Sequence, residues 1–99
     1  MITLDELKEW LKIDFDDDDT QLKVLINVSE STIEVATGVS KEYIQSTENE
    51  TLKGLYKMAQ IIIINDLYNE RDNENKALTS YYIQLESMYK SIGDEESNE

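Results

Sequence analysis

The sequence predicts an all-α fold, a small bundle of about four helices, two long and two shorter, with a flexible acidic C-terminal tail. Apolar residues recur at three- and four-residue spacing along most of the chain, which is the helical period. Two segments have the form of a helix capping box. The 99 residues include no proline and three glycines, so few residues interrupt helices. We expect a single helical domain over residues 1–92 and a disordered acidic tail over residues 93–99.

The first helix is predicted near residues 4–12. Thr3–Glu6 has the sequence of a capping box, and Ile2 and Leu7 stand where a hydrophobic staple would place them. Leucines at helical spacing give this helix one apolar face. Trp10 lies beside that face in the pattern, so we expect its side chain to be buried.

An acidic run, Asp14–Asp19, follows with five carboxylates in six positions. Its first aspartates have the alternating spacing of a calcium loop. That loop also requires Gly at its sixth position and Glu at its twelfth, which are Asp19 and Leu25 here. The run is therefore interpreted as capping the second helix and offsetting its dipole, with no tight metal site.

The second helix is predicted near residues 18–37 and ends at Gly38, a residue typical of helix C-termini. Two apolar stripes run along it. The first is expected to face the core and comprises Leu22, Leu25, Ile26, Ser29 and Ile33. The second comprises Val24, Val28 and Val35.

Residues 39–46 are interpreted as a connector with one helical turn near 42–44. Thr47–Glu50 is a second capping-box sequence and opens a third predicted helix near residues 48–70. Between Met58 and Ile64 the one polar residue is Gln60. A helix that is apolar nearly all round lies either in the middle of a bundle or at a subunit interface.

The fourth helix is predicted near residues 78–92, after a polar loop. We expect eight side chains of the bundle to be mostly buried: Trp10, Leu25, Ile26, Ile33, Leu55, Ala59, Ile62 and Ile63.

Composition and charge exclude several function classes. The chain carries 9 basic and 22 acidic residues, a net charge of −13, and contains neither Cys nor His. A chain this acidic repels nucleic acid and anionic membranes. Without Cys and His, it lacks the most common nucleophile and base pairs. We therefore predict no enzyme activity, catalytic residue, cofactor, metal site or membrane contact, and expect a soluble domain.

The apolar content of the two long helices exceeds what one small core needs. A fully buried central helix and self-association explain the excess about equally well. If the chain associates, the candidate interface residues lie off the main stripes: Val24, Val28, Val35, Met58, Ile61 and Ile64. On that hypothesis, Ile61→Asp should weaken association while the monomer stays folded.

Two segments resemble a known family. Residues 2–38 have a short Leu-rich helix, an acidic run and a long helix that ends Thr-Gly. This is similar to the N-terminal half of the head–tail connector (adaptor, or head-completion) proteins of tailed bacteriophages. Residues 55–72 resemble the third helix of that family, and residues 67–71 match its aromatic and basic end. Residues 77–91 depart from the family, which often has a proline-containing basic segment there.

The resemblance implies a structural virion protein that assembles as a homo-oligomeric ring under the portal. Such a ring completes the head, retains packaged DNA and provides the tail attachment site. Its partners would be further copies, the portal protein and other head-completion or tail proteins, while genomic DNA passes without specific binding. The protein would occupy the host cytoplasm during assembly and then the head–tail junction of the virion, and its gene could belong to a prophage.

An alternative function is an acidic DNA mimic or regulator that occupies a basic site on another protein. Such a mimic would spread its carboxylates over helix surfaces at phosphate-like intervals. Here they concentrate at predicted caps, loops and the tail, which favours the connector.

Overall fold

The computed structural model describes residues 1–69 and 76–97, and the side chains up to residue 91. These residues form five helices and no strand, which confirms the all-α prediction. The helices are α1 (Leu4–Leu11), α2 (Asp19–Thr37), α3 (Lys41–Ser46), α4 (Glu50–Tyr68) and α5 (Lys76–Ser97). The single turn expected between the long helices is thus a separate short helix, α3.

The N-terminus of α1 has the predicted capping box. The Thr3 hydroxyl accepts a hydrogen bond from the backbone N–H of Glu6, and the Glu6 carboxylate accepts one from the backbone N–H of Thr3, both at 3.2 Å. Ile2 and Leu7 are buried in the same cluster, as a hydrophobic staple requires. The α1 helix ends at Lys12, which adopts a left-handed conformation with φ of 58°.

The second predicted capping box is wrong. The N-cap of α4 is Asn49, whose side-chain oxygen accepts a hydrogen bond from the backbone N–H of Leu52 at 3.0 Å. Thr47 instead ends α3, and its backbone N–H bonds to the carbonyl of Tyr43. Asn is at least as good an N-cap as Thr. Because α3 extends to Ser46, the helix start moves two residues along the chain.

The α4 helix lies in the middle of the bundle, between two apolar clusters. The first, which we call the C-terminal cluster, consists of Ile33, Val39, Ile44, Leu52, Tyr56, Ala59, Ile63 and Leu85. The second, the N-terminal cluster, consists of Ile2, Leu7, Ile13, Leu22, Ile61 and Ile64. Contacts within the chain therefore cover both apolar sides of α4.

A buried polar network also holds α4 to the rest of the bundle. Gln60 is fully buried, and its side-chain oxygen accepts a hydrogen bond from the backbone N–H of Ile2 at 2.9 Å. Its amide group donates to the Ser29 hydroxyl at 3.1 Å. Ser29 in turn donates to the carbonyl of Ile26 at 2.7 Å. The network joins the N-terminal segment, α4 and α2.

Burial of the predicted core residues follows the periodicity in part. Ile33, Ala59 and Ile63 are buried as predicted. Half-buried positions are occupied by Leu25, Ile26, Leu55 and Ile62. The core thus forms where the long helices meet, and the flanks of each apolar stripe keep some contact with solvent.

The prediction that Trp10 is buried is wrong, because its side chain is 56% exposed. At about 100° per residue, Leu4 and Leu11 lie about 60° and 40° from Leu7 on one side of the helix axis. Trp10 lies about 60° from Leu7 on the other side. The α1 helix turns the leucine side toward the bundle, which leaves the indole at the surface.

The α5 helix is longer than predicted at both ends. It begins at Lys76 rather than near residue 78 and ends at Ser97 rather than near residue 92. The backbone of residues 93–97, which the sequence placed in the tail, is therefore helical. Most of the predicted polar loop before this helix lies outside the described residues. The division into a domain and a disordered tail stays a prediction.

Candidate functional site

The six candidate interface residues fall into two groups. The three valines on α2 are exposed: 54% for Val24, 41% for Val28 and 89% for Val35. On α4, Ile61 and Ile64 are buried in the N-terminal cluster, and the half-buried Met58 packs against it. The structure therefore brings the valines together but does not bring the α4 residues to the same surface.

The three valines form one line, which we call the valine stripe. At about 100° per residue, all three lie within about 40° around the axis of α2. Leu22 and Ile33 are fully buried and lie about 160–180° from Val24 on the same basis. The valine stripe therefore lies on the side of α2 opposite the core.

An apolar groove adjoins the C-terminal end of the valine stripe. It has a volume of about 440 Å³ and is lined by Ser31, Thr32, Val35, Ala36 and Tyr82. Partial burial raises the pKa of the Tyr82 hydroxyl. Ile83, the next residue on α5, is 60% exposed. The surface thus combines a line of valines with an aromatic side chain from a second helix.

Sequence reasoning did not include Tyr82 or Ile83 among the candidate residues. The contribution of Tyr82 to the groove depends on which side of α5 packs against α2, and the pattern of a single helix does not identify the helices it packs against. The sequence has six tyrosines, and helical spacing alone does not tell which of them lie at such a surface.

The acidic run fastens α1 and α4 to the start of α2. The Lys8 ammonium forms ion pairs with Asp16 at 2.7 Å and Asp19 at 2.9 Å. The Tyr68 hydroxyl donates a hydrogen bond to the Asp18 carboxylate at 2.6 Å. Asp18 is the N-cap residue of α2, but its side chain makes no capping hydrogen bond. Asp18 therefore does not fill the capping role that was predicted for the acidic run, and its carboxylate accepts a hydrogen bond from Tyr68 instead.

These contacts shift the titration of the groups involved. The hydrogen bonds that the Lys8 ammonium donates to Asp16, and then to Asp19, raise its pKa above the ordinary value. The bond to Lys8 lowers the pKa of the Asp16 carboxyl. The bond to Asp18 raises the pKa of the Tyr68 hydroxyl. All three shifts are consequences of the observed pairing, and each leaves its group in the charge state that the pairing needs at neutral pH. The run therefore acts as a structural tie.

Two further findings concern ligands and membranes. Among the described residues, no three acidic side chains converge in a way that could hold a metal ion. Within residues 1–69 and 76–97, no helix has both the length and the apolar character that a bilayer crossing needs.

Comparison with known proteins gives one match. A family model described as phage gp6-like head–tail connector protein matches residues 1–94. Searches of curated proteins and of solved structures find no significant match. The matched range contains α1 to α4 and most of α5, and so includes both segments in which the sequence resemblance was seen.

Proposed function

Since this chain belongs to the phage gp6-like head–tail connector family, we propose that it assembles as a homo-oligomeric ring under the portal of a tailed bacteriophage. In this proposal the ring completes the head, retains the packaged DNA and provides the tail attachment site. The family match over residues 1–94 is the observation that carries it.

Membership of the family establishes a coarser role. The protein is a structural component of a phage virion, it belongs at the head–tail junction, and it interacts with other head or tail proteins. The family is one of structural proteins rather than enzymes, and accordingly we propose no catalytic residue. The portal as direct partner and assembly in the host cytoplasm are parts of the proposal.

The valine stripe supports the ring. Exposed apolar stripes on a small domain are typical of protein interfaces. A ring is built from heterologous contacts, so each subunit must present two different surfaces to its neighbours. We propose that the valine stripe and the groove beside Tyr82 form one of them. Ile61 and Ile64 are buried within the bundle of a single chain. The proposed subunit contact therefore excludes them and consists of residues on and beside α2.

The net charge of −13 supports the passage of DNA. Binding to duplex DNA depends on Lys and Arg side chains that displace counterions from the phosphates. An acidic channel wall offers few such contacts, so the duplex would move along it without being held.

The test is complementation of capsids that carry a portal but lack this protein. We expect the wild-type chain to restore DNA retention and tail joining. Val28→Asp should fail while remaining folded by circular dichroism, because a charge on the valine stripe would be buried in the contact. The matched control is Gln45→Asp on α3, where the side chain is exposed and off the stripe.

Each component of the proposal can fail separately. If capsids without the protein retain DNA and join tails, the connector role is wrong. If Val28→Asp complements as well as Gln45→Asp, the valine stripe is not a subunit contact. Ile61→Asp is unsuitable for this test. Its side chain is 8% exposed in the single chain, so we expect the substitution to destabilise the monomer itself.

A further inference from the structure

An acidic pocket opens beside α2 and α3, and neither the family nor the ring proposal uses it. Its volume is about 260 Å³, and it is lined by Asn27, Glu30, Ser31, Glu34, Lys41 and Glu42. Three of these side chains are carboxylates and one is an ammonium, so the pocket is net negative. The amide and the hydroxyl add neutral hydrogen-bonding groups to the wall.

Glu30 is the residue that distinguishes this pocket from an ordinary acidic surface. Glu30 is only 6% exposed. Its Oε2 atom is buried and has no hydrogen-bond partner among the described residues. A buried carboxylate oxygen without a partner costs free energy. Loss of hydration accordingly raises the pKa of the Glu30 carboxyl.

No group within the described part of the chain supplies the missing partner. Lys41 lines the same pocket and lowers the pKa of Glu30 through its charge, but it forms no ion pair with Glu30 there. The Tyr56 hydroxyl is also buried without a partner. Burial, followed by the negative charges of Glu30, Glu34 and Glu42, raises its pKa. The charges of Lys41 and of the Met1 ammonium lower the pKa of Glu30, but the three glutamates outnumber Lys41 in the pocket wall, which stays net negative.

We propose that this pocket binds the guanidinium group of an arginine side chain presented by a neighbouring protein chain. A guanidinium is planar, stays charged, and directs five N–H donors outward in a fixed fork. It can therefore bond to Glu30 while it reaches acceptors on other parts of the wall. Charge-assisted bonds of this kind are stronger than neutral ones.

A metal ion fits the pocket less well. Ion coordination needs several ligand oxygens converging at one point, and among the described residues neither the three glutamates of this pocket nor any other acidic group converges closely enough to hold a metal ion. A lysine ammonium would offer three donors from a single point. The separated acceptors of this pocket favour the wider guanidinium.

The probe for the test is blocked arginine, Nα-acetyl-arginine methylamide, titrated into the full chain and followed by amide chemical shifts in NMR. We expect shifts confined to residues of the pocket. The neutral analogue with citrulline in place of arginine should produce none. Glu30→Gln should weaken binding at least about tenfold. The matched control Glu9→Gln removes one exposed carboxylate from α1 and should leave binding unchanged.

A second measurement keeps the inference independent of the ring. Because Glu30 is held without a partner in the free chain, Glu30→Gln should raise the melting temperature by about 4 °C or more. A lower melting temperature would mean that Glu30 is satisfied within the chain, which overturns the proposal. Shifts spread over the whole acidic surface and insensitive to Glu30→Gln would overturn it too.

Two sources of the arginine can be separated. The chain has one arginine, Arg71, outside the described residues. If Arg71→Gln and Glu30→Gln both reduce self-association in sedimentation, the arginine comes from a second copy. If pocket binding is present and Arg71→Gln leaves self-association unchanged, the arginine belongs to another protein of the assembly.

Discussion

The buried amide of Gln60 shows how single polar residues determine the arrangement of this bundle. Ile2 enters the N-terminal cluster just before α1 begins, so its backbone N–H loses contact with water. The Gln60 oxygen accepts that N–H, and the Gln60 amide reaches Ser29 on α2. Gln60, a polar residue on the apolar side of α4, therefore supplies an acceptor for the Ile2 N–H, which lies before α1 and has no acceptor within a helix.

Replacing Gln60 with leucine should destabilise the protein despite the apolar surroundings. Gln60→Leu leaves the Ile2 N–H buried without an acceptor, so we expect the free energy of unfolding to fall by about 1–3 kcal/mol. Urea denaturation followed by circular dichroism measures the change. Gln45→Leu, at an exposed site on α3, is the control and should have little effect. Equal losses in the two variants would contradict the network.

The two ion pairs of Lys8 should make stability depend on pH. The pKa of Asp16 is lowered from its ordinary 3.8 by the bond to Lys8. Its contribution to folding is therefore present above that ordinary value and disappears as the pH falls through the lower pKa of the folded state. Lys8→Met should reduce stability at pH 7, and the difference from wild type should narrow below about pH 4.

Thermal unfolding at pH 7, 5 and 3 tests this dependence. Lys23→Met, which removes an exposed lysine from α2, is the matched control for the change in net charge. If Lys8→Met and Lys23→Met follow the same pH curve, the ion pairs do not contribute to folding in solution.

At the scale of elements, two glycines with opposite backbone requirements determine how α2 and α4 respond to substitution. Gly38 ends α2 with φ of +83°, and Gly54 lies inside α4; a Cβ at either position would meet nothing within 4 Å. Both sites therefore have room for the methyl group of alanine. Only Gly38 has a conformation that L-residues adopt with difficulty.

Alanine at these two sites should consequently act in opposite directions. Gly38→Ala should lower the free energy of unfolding by about 1 kcal/mol, because the left-handed conformation strains a Cβ. Gly54→Ala should raise it by about 0.5–1 kcal/mol through helix propensity. The two variants act as each other's control in one denaturation series. A shared sign would show that backbone conformation is not the determining factor.

Local signals in the sequence predicted the helices well and their packing less well. The Thr3 capping box and the Gly38 terminus depend on a few neighbouring residues, and both are found. The start of α4 was predicted two residues early, because Thr47 and Asn49 are both good caps. Because α3 continues to Ser46 and Thr47 is its C-cap, Asn49 is the residue that caps α4.

The candidate surface shows the same limit. A second apolar stripe on a helix has the same sequence pattern in two different cases. In one case other helices of the same chain cover it, and in the other a neighbouring subunit does. On α4 the chain itself covers Ile61 and Ile64, whereas on α2 the valines stay exposed. The periodicity of each helix could be read from the sequence. Whether a given stripe is buried or exposed depends on how the five helices pack together, which the pattern of one helix does not contain.

At the scale of the whole molecule, charge determines how the protein meets its surroundings. Nine basic residues among 99, with 22 acidic ones, leave few cations to face any polyanion. Four of them, Lys8, Lys53, Lys57 and Lys90, are also engaged in ion pairs with acidic side chains. Since these lysines already have carboxylate partners, fewer of them are available to contact the phosphates of a polyanion.

We accordingly expect the purified protein not to retain duplex DNA at physiological salt. A gel-shift titration measures this, with a basic DNA-binding protein as positive control. Submicromolar binding that weakens steeply with salt would contradict both the charge argument and a role as a channel wall.

The exposure of Trp10 has an optical consequence. It is the chain's one tryptophan, and its indole already contacts water in the folded monomer. Its emission should therefore lie toward long wavelength and change little when the chain unfolds, so tryptophan fluorescence would under-report denaturation. The same residue becomes a label-free reporter of docking. A shift to shorter wavelength on mixing with portal-bearing capsids would signal that a partner has covered α1.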